Sequence, residues 1–244
     1  LTLGTSGDTV SIPSGVTLAN AGSVTGLPAS AISSGTIATA RLGSGTASSS
    51  TVLYGDQTYK AEPSAGLKLI ASGNGTTTNA LSLQSVFSTD YTNYRFIGTF
   101  KPDSDAVDLR GNYMTGATVK TDSEYRYIVR SWLRASGGNA AAYESAWGEA
   151  FMRFQSSAST SNDEFGQNVD VTFFNPMTQS STNTPNDAHV LFDVFNYTSG
   201  TANVIRSVGG SNYQTSADWD GFQFVYSSGD INFYNYSLFG ITGS

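Results

Sequence analysis

Cysteine is absent from the 244-residue chain, which excludes a disulfide scaffold and any thiolate metal site and leaves a fold that needs no oxidising compartment. Histidine occurs once, as His189. A Ser-His-Asp set would rest on that residue with Asp187 two positions away on the same strand edge, and no Gly-x-Ser-x-Gly elbow is present. A strand-edge histidine is the plainer reading. One His and no Cys also leave zinc without its ordinary ligands. No apolar run of about 18 residues occurs, so no membrane span is expected. Charge is scarce at 13%, against roughly 25% in ordinary globular domains. The net charge of −7 and a pI near 4.5 argue against nucleic acid, whose phosphates need a basic face.

What the chain does have is Ser, Thr, Gly, Asn and aromatic residues, the last at 12%, a β-rich composition. The first 60 residues are nearly uncharged thread with isolated aliphatics: Leu1, Leu3, Val10, Ile12, Val16, Leu18, Val24, Leu27, Ile32, Ile37 and Leu42. Single aliphatics so spaced bury too little area to offset the ordering of the backbone. Such a stretch is either a flexible linker or a thread that wraps around copies of itself along a shared axis. Frequent Thr, Val and Ile, and the alternation of Val10 with Ile12 and Val16 with Leu18, have a strand period and favour the second. The chain opens at Leu1 rather than Met, which reads as a fragment or a processed product. No signal-peptide pattern is visible.

Between residues 27 and 59 three phrases stand out: Ser34-Gly-Thr-Ile37, Ala40-Arg-Leu-Gly43 and Leu53-Tyr-Gly-Asp-Gln-Thr-Tyr59. Together they resemble the segment that precedes the terminal domain of tailed-bacteriophage fibres, with Tyr59 where those fibres usually carry Trp. Later phrases resemble the same family. They are Tyr91-Thr-Asn-Tyr-Arg-Phe96, Phe173-Phe-Asn-Pro176, and a closing hairpin from Asp218-Trp-Asp-Gly-Phe-Gln-Phe through Ser228-Gly-Asp230 to Gly240. The resemblance implies a homotrimer whose chains intertwine, made in bacterial cytoplasm and carried on the virion.

Glu62-Pro63-Ser64-Ala65-Gly66 marks a boundary, since Pro and Gly punctuate chains. Beyond it charge rises and apolar runs lengthen. Strands are predicted at 67–72, 81–87, 94–101, 105–114, 124–134, 169–175, 189–197, 202–208, 221–227 and 231–241. Phe222, Phe224 and Tyr226 share one face, and Ile231, Phe233, Asn235, Ser237, Phe239 and Ile241 share another. The run 189–197 is apolar on both faces, as a central or interface strand would be. Residues 140–154 are predicted to form a short helix, or a turn into a strand at about 147–154, from the spacing of Tyr143, Trp147, Phe151 and Phe154. The polar stretches 155–168 and 178–188 are predicted loops. Short Gly and Asn/Asp punctuation points to antiparallel topology and a two-sheet sandwich of jelly-roll type.

Three sets of acids could form a glycosidase pair: Glu144 with Glu149, Asp163 with Glu164, and Asp218 with Asp220. Spacing along a chain cannot place carboxyls across a cleft, and all three sets read as solvated loop acids. Asp103, Asp105 and Asp108 fail the EF-hand pattern and read as an acidic turn. Three glycosylation sequons, at Asn74, Asn196 and Asn235, are chance products of an Asn/Ser/Thr-rich chain. Aromatics remain. Trp132, Tyr143, Trp147, Tyr213 and Trp219 flank Gly/Asn-rich segments; they either stack on sugar or belong to the core or a chain interface.

The expected architecture is all-β. An intertwined trimeric shaft (1–62), interlocked by Val10, Ile12, Val16, Leu18, Ile32, Ile37 and Leu42, precedes an antiparallel jelly-roll-like β-sandwich head (63–244). The expected role is non-enzymatic, without cofactor or metal: a virion fibre joined to other virion proteins through its N-terminal end, its head adhering to a host surface receptor, a glycan or a protein. Alternatives are a capsid-attached fibre or decoration protein without a receptor, and a polysaccharide-degrading fibre.

Overall fold

A computed structural model describes residues 13–16, 38–61, 66–104, 107–135, 138–158, 166–177, 188–198, 203–213 and 218–242. The chain divides into two units, Leu1–Glu62 and Pro63–Ser244. Among the described residues about 70% lie in strands and 1% in helix, and the sheets are antiparallel.

In the first unit a 3-10 turn at Thr39–Arg41 leads to a hairpin of β1 (Thr51–Leu53) and β2 (Tyr59–Ala61). Asp56 organises the hairpin turn. Its carboxylate accepts from the Lys60 ammonium at 2.5 Å, and from the Thr58 hydroxyl and backbone N–H at 2.5 and 3.1 Å. The Lys60 and Thr58 bonds favour the charged form and hold Asp56 at about 2. The Ala40-Arg-Leu-Gly43 phrase docks on this turn. Ser44 N–H donates to the Gln57 carbonyl at 2.9 Å, and Tyr59 N–H donates to the Ser44 carbonyl at 2.8 Å. A Cβ at Gly43 would lie 2.3 Å from the Gln57 carbonyl oxygen, so the approach requires glycine. Two phrases separated in sequence thus form one packed substructure. Of the aliphatics expected to interlock chains, Val16 and Leu42 are exposed in the single chain; Val10, Ile12, Leu18, Ile32 and Ile37 lie outside the described residues.

The described part of the second unit comprises β3 (Gly66–Thr78), β4 (Ala80–Leu83), β5 (Asn93–Pro102), β6 (Val107–Thr115), β7 (Thr118–Val119), β8 (Tyr125–Ala135), β9 (Gly138–Glu149), β10 (Met152–Ala158), β11 (Gln167–Phe174), β12 (Ala188–Thr198), β13 (Asn203–Tyr213), β14 (Gly221–Tyr226) and β15 (Ile231–Thr242). They make an eight-stranded sheet in the order β3-β15-β5-β11-β12-β13-β8-β9. A five-stranded sheet has the order β10-β6-β14-β4, with β7 paired to β6.

One core joins the two sheets. Phe96 and Phe100 of β5, Phe173 of β11 and Phe192 of β12 face Tyr113 of β6, Phe154 of β10, and Phe222 and Phe224 of β14. Ring pairs across the sheets include Phe96–Phe224 at 4.5 Å, Phe173–Phe222 at 4.8 Å and Phe154–Phe192 at 5.0 Å. Such tilted and edge-on pairs contribute about 0.5–1.5 kcal/mol each beyond area burial. A polar chain crosses the same core: the Tyr226 hydroxyl donates to Gln167 at 2.8 Å, and the Gln167 amide donates to Gln155 at 2.9 Å. Buried bonds of this kind penalise any slip between β10, β11 and β14.

Each predicted strand segment overlaps a strand among the described residues, though 84–87 lie beyond β4, and 105, 106 and 202 lie outside the described residues. Residues 140–154 hold no helix; they are β9, paired residue by residue with β8, and the start of β10. A separation of four positions fits a strand face as well as a helix face, so Tyr143 and Trp147 could not separate the two. Gly148, at φ 75, sits where the β8–β9 register shifts. The stretch expected as a loop at 155–168 begins in β10 and ends in β11, where the polar Gln155 and Gln167 are fully buried because they bond each other. On β15, Ile231 turns inward, away from its expected companions Phe233 to Ile241, because β15 bulges against β5 between Ile231 and Phe233.

Burial pushes the phenols of Tyr113, Tyr226 and Tyr125 upward. Above the ordinary tyrosine value of 10.0 the unfolded chain releases protons that the folded chain keeps. Stability is therefore level below that pH and falls as pH rises beyond it, by about 1.4 kcal/mol per unit for each buried phenol. We expect these phenolates to appear only as circular dichroism reports unfolding. Complete tyrosine ionisation with native dichroism would contradict the described core.

Candidate functional site

Along β8 the sequence alternates two kinds of residue. Tyr125, Tyr127, Val129 and Ser131 point inward and are buried. Arg126, Ile128, Arg130, Trp132 and Arg134 take the other face, which no second layer covers among the described residues. Tyrosine and valine suit a pleated surface packed on one side, and the Ser131 hydroxyl is satisfied by Ser207 at 2.7 Å.

The register with β9 sets Trp147 opposite Arg126, Ser145 opposite Ile128, Tyr143 opposite Arg130, and Ala141 opposite Trp132. The result is a ladder of rings and guanidinium groups. Arg126 lies 3.8 Å from the Trp147 ring centre, and Arg130 lies 4.8 Å from Trp132 and 4.9 Å from Tyr143. Each stack contributes about 0.5–1 kcal/mol at an exposed site and orders long side chains. The rings stay open to solvent: Trp147 is 75% exposed, Tyr143 68% and Trp132 38%. Among the described residues Arg126, Arg130 and Arg134 make no ion pair.

The rest of this face is mixed. Ile97, Leu191 and Phe195 are exposed on it. Arg95 grips Asp170 through two bonds of 3.0 and 2.5 Å, and Arg206 holds Asp193 at 3.0 and 2.5 Å. Beside β8 a hollow of about 370 Å³ is bordered by Arg126, Ile128, His189, Leu191 and Asn212, with Gly210 beneath it. A second, of about 500 Å³, lies further along the sheet between Ile97, Thr99, Phe195, Arg206 and Phe239.

Of the five aromatics singled out in the sequence, Trp132, Tyr143 and Trp147 meet here. Tyr213 and Trp219 do not. They are 0% and 2% exposed, packed edge-on at 4.8 Å, with Trp219 stacked on Tyr113 at 5.8 Å. Tyr213 occupies an inward position of β13 and its hydroxyl donates to Asp122. Position on the strand separates the two groups: the exposed three take outward registers, and Tyr213 an inward one.

The acids are placed otherwise. Glu144 accepts from Arg153, which with Arg110 also reaches Asp108, at 3.5 and 3.2 Å. Asp220 accepts the Gly116 N–H at 2.8 and 3.0 Å. Asp103 accepts from the Ser104 hydroxyl and the Asp230 N–H, both at 2.8 Å. Asp105, Asp163, Glu164 and Asp187 lie outside the described residues. Among the described residues no group of three or more His, Asp or Glu could hold a metal ion. His189 stands exposed on β12.

Sequence reading missed Arg126 and Arg130. The signal was present in the period of two over Arg126, Ile128, Arg130, Trp132 and Arg134, a face both apolar and cationic. Chemically the ladder offers flat apolar rings beside forked donors, which suits a ligand with apolar ring faces and polar edges. No family model, curated protein or solved structure matches the chain.

Proposed function

We propose that the chain is part of a homotrimeric bacteriophage fibre whose second unit adheres to a glycan on the host cell surface, without catalysing a reaction. The observation that carries adhesion is the exposed ladder of Trp132, Tyr143 and Trp147 with Arg126 and Arg130. Sugar rings lay their C–H faces on such aromatics while guanidinium N–H groups bond the hydroxyls. Stacked side chains lose little further freedom on binding, so more of the contact energy reaches affinity.

The finer architecture we propose is a jelly roll. With the β12–β13 hairpin set aside, the sheets read β5-β11-β8-β9 and β4-β14-β6-β10. Lettering β4, β5, β6, β8, β9, β10, β11 and β14 as B to I gives the orders C-H-E-F and B-I-D-G, those of two Greek keys folded over one core. The hairpin is spliced between H and E, and β3 and β15 extend the far edge. For the first unit, the fibre-like phrases and the uncovered Val16 and Leu42 favour a shaft in which aliphatics of three chains interlock. The N-terminal end would meet other virion proteins. Three weak sites on one trimer raise apparent affinity by about 10²–10⁴.

Two measurements test this. Light scattering on the full chain should give close to three times 25.7 kDa, and a monomer would overturn the fibre. An array of bacterial surface polysaccharides should contain ligands for the chain, with Trp147→Ala weakening them about tenfold or more at unchanged melting temperature. A chain that binds none is a decoration protein rather than an adhesin.

A further inference from the structure

We infer that the ligand of this face is an acidic polysaccharide, its sugar rings on Trp147, Tyr143 and Trp132 and its carboxylates on Arg126, Arg130 and Arg134. This rests on the adhesion reading and names its substrate class. Two independent observations carry it.

The first is the segregation of charge. The chain as a whole carries −7. Yet among the described residues of its strands the uncovered face of the eight-stranded sheet displays Lys101, Arg95, Arg206, Arg126, Arg130 and Arg134 against Asp170 and Asp193. Those two acids are neutralised within the face by Arg95 and Arg206. The positive charge left over is concentrated on β8, beside the rings. Glu144, the acid of β9 nearest to them in sequence, turns to the opposite side and is bonded to Arg153. A chain with few cations has placed these where, among the described residues, no acid pairs with them.

The second is the state of the guanidinium groups. Arg126 and Arg130 lie against aromatic rings, and their fork of N–H donors matches a carboxylate in two-bond geometry. A neutral glycan would need the rings but not three unanswered cations.

Spacing distinguishes this ligand from a single-stranded nucleic acid, which also combines rings with negative charge. Arg126, Arg130 and Arg134 recur every four strand positions, about 13 Å apart at ~3.3 Å per residue. A single nucleic-acid strand carries a phosphate on every nucleotide, more charges than the sparse arginines answer, and the surplus would meet an acidic protein. A polysaccharide with carboxylates on only some of its sugars matches the sparse ladder.

The test uses the full chain and four soluble probes, each titrated by calorimetry: hyaluronate and xanthan, which carry carboxylates on only some of their sugars, neutral dextran and oligo(dT). At least one carboxylate polymer should bind, more weakly as salt rises from about 0.05 to 0.5 M. Arg126→Gln and Arg130→Gln should each weaken it about tenfold or more, and Arg130→Lys, which keeps charge but loses the fork, should recover only part. Lys68→Gln, on β3, should leave binding unchanged. Dextran bound as tightly as the acidic polymers, with dependence on Trp147 but not on the arginines, would overturn the acidic class and keep adhesion. Oligo(dT) bound more tightly than either acidic polymer would overturn both. Equal loss from Lys68→Gln would reduce the effect to net charge and overturn the site.

Discussion

The strand register of β8 is the constraint on which the rest depends. Its side chains alternate between a buried tyrosine-rich face and an open arginine-rich one, and the pairings to β13 and β9 fix which is which. A slip of one residue would carry Arg126 and Arg130 into an aromatic core and push Tyr125 and Tyr127 into water. Burying an unpaired guanidinium costs several kcal/mol even after relaxation, so the hydrophobic core and the open ladder enforce one another. What lies behind the ladder is rigid for the same reason. The Tyr125 hydroxyl accepts the Tyr113 N–H at 2.9 Å and donates to the Lys120 carbonyl at 3.0 Å, tying β8 to β6 of the other sheet.

The two faces of the eight-stranded sheet therefore divide the aromatic content of the chain by purpose. Inward rings join the sheets and exclude water. The outward rings of β8 and β9 are clamped by arginines, which leaves them exposed and already ordered. A surface that loses little freedom on binding suits weak sites that act several at a time. Ion pairs such as Arg95–Asp170 and Arg206–Asp193 keep the middle of the same face neutral. Apart from Lys101 on β5, the unanswered charge among the described residues of this face is thus local to β8.

Much of the fold was legible in the sequence because period-two alternation survives in a sheet with one covered face. Alternation alone puts Phe222, Phe224 and Tyr226 on one face, and it does the same for Phe233 to Ile241. The misreadings have identifiable causes. Tyr143 and Trp147 are four apart, a spacing that both helix and strand place on one side. Ile231 is turned by a bulge, which leaves no mark in composition. Gln155 and Gln167 look like loop residues until the buried bond between them is seen. At the candidate site, tryptophan and tyrosine draw attention wherever they occur, and nothing in the local sequence of Trp219 separates a core ring from an exposed one. That distinction comes from which residues lie opposite across strands, and the partner of Arg126 is Trp147, on the next strand of the sheet.

Hydroxyl-radical footprinting of the intact protein in solution tests the central claim, that the ladder is an open surface rather than a seam between chains. Trp147 and Tyr143 should oxidise rapidly and Trp132 more slowly, with Trp219 and Tyr213 protected until the protein unfolds. Protection of Trp147 and Tyr143 in the free protein would contradict it, because the face would then already be covered and closed to any ligand.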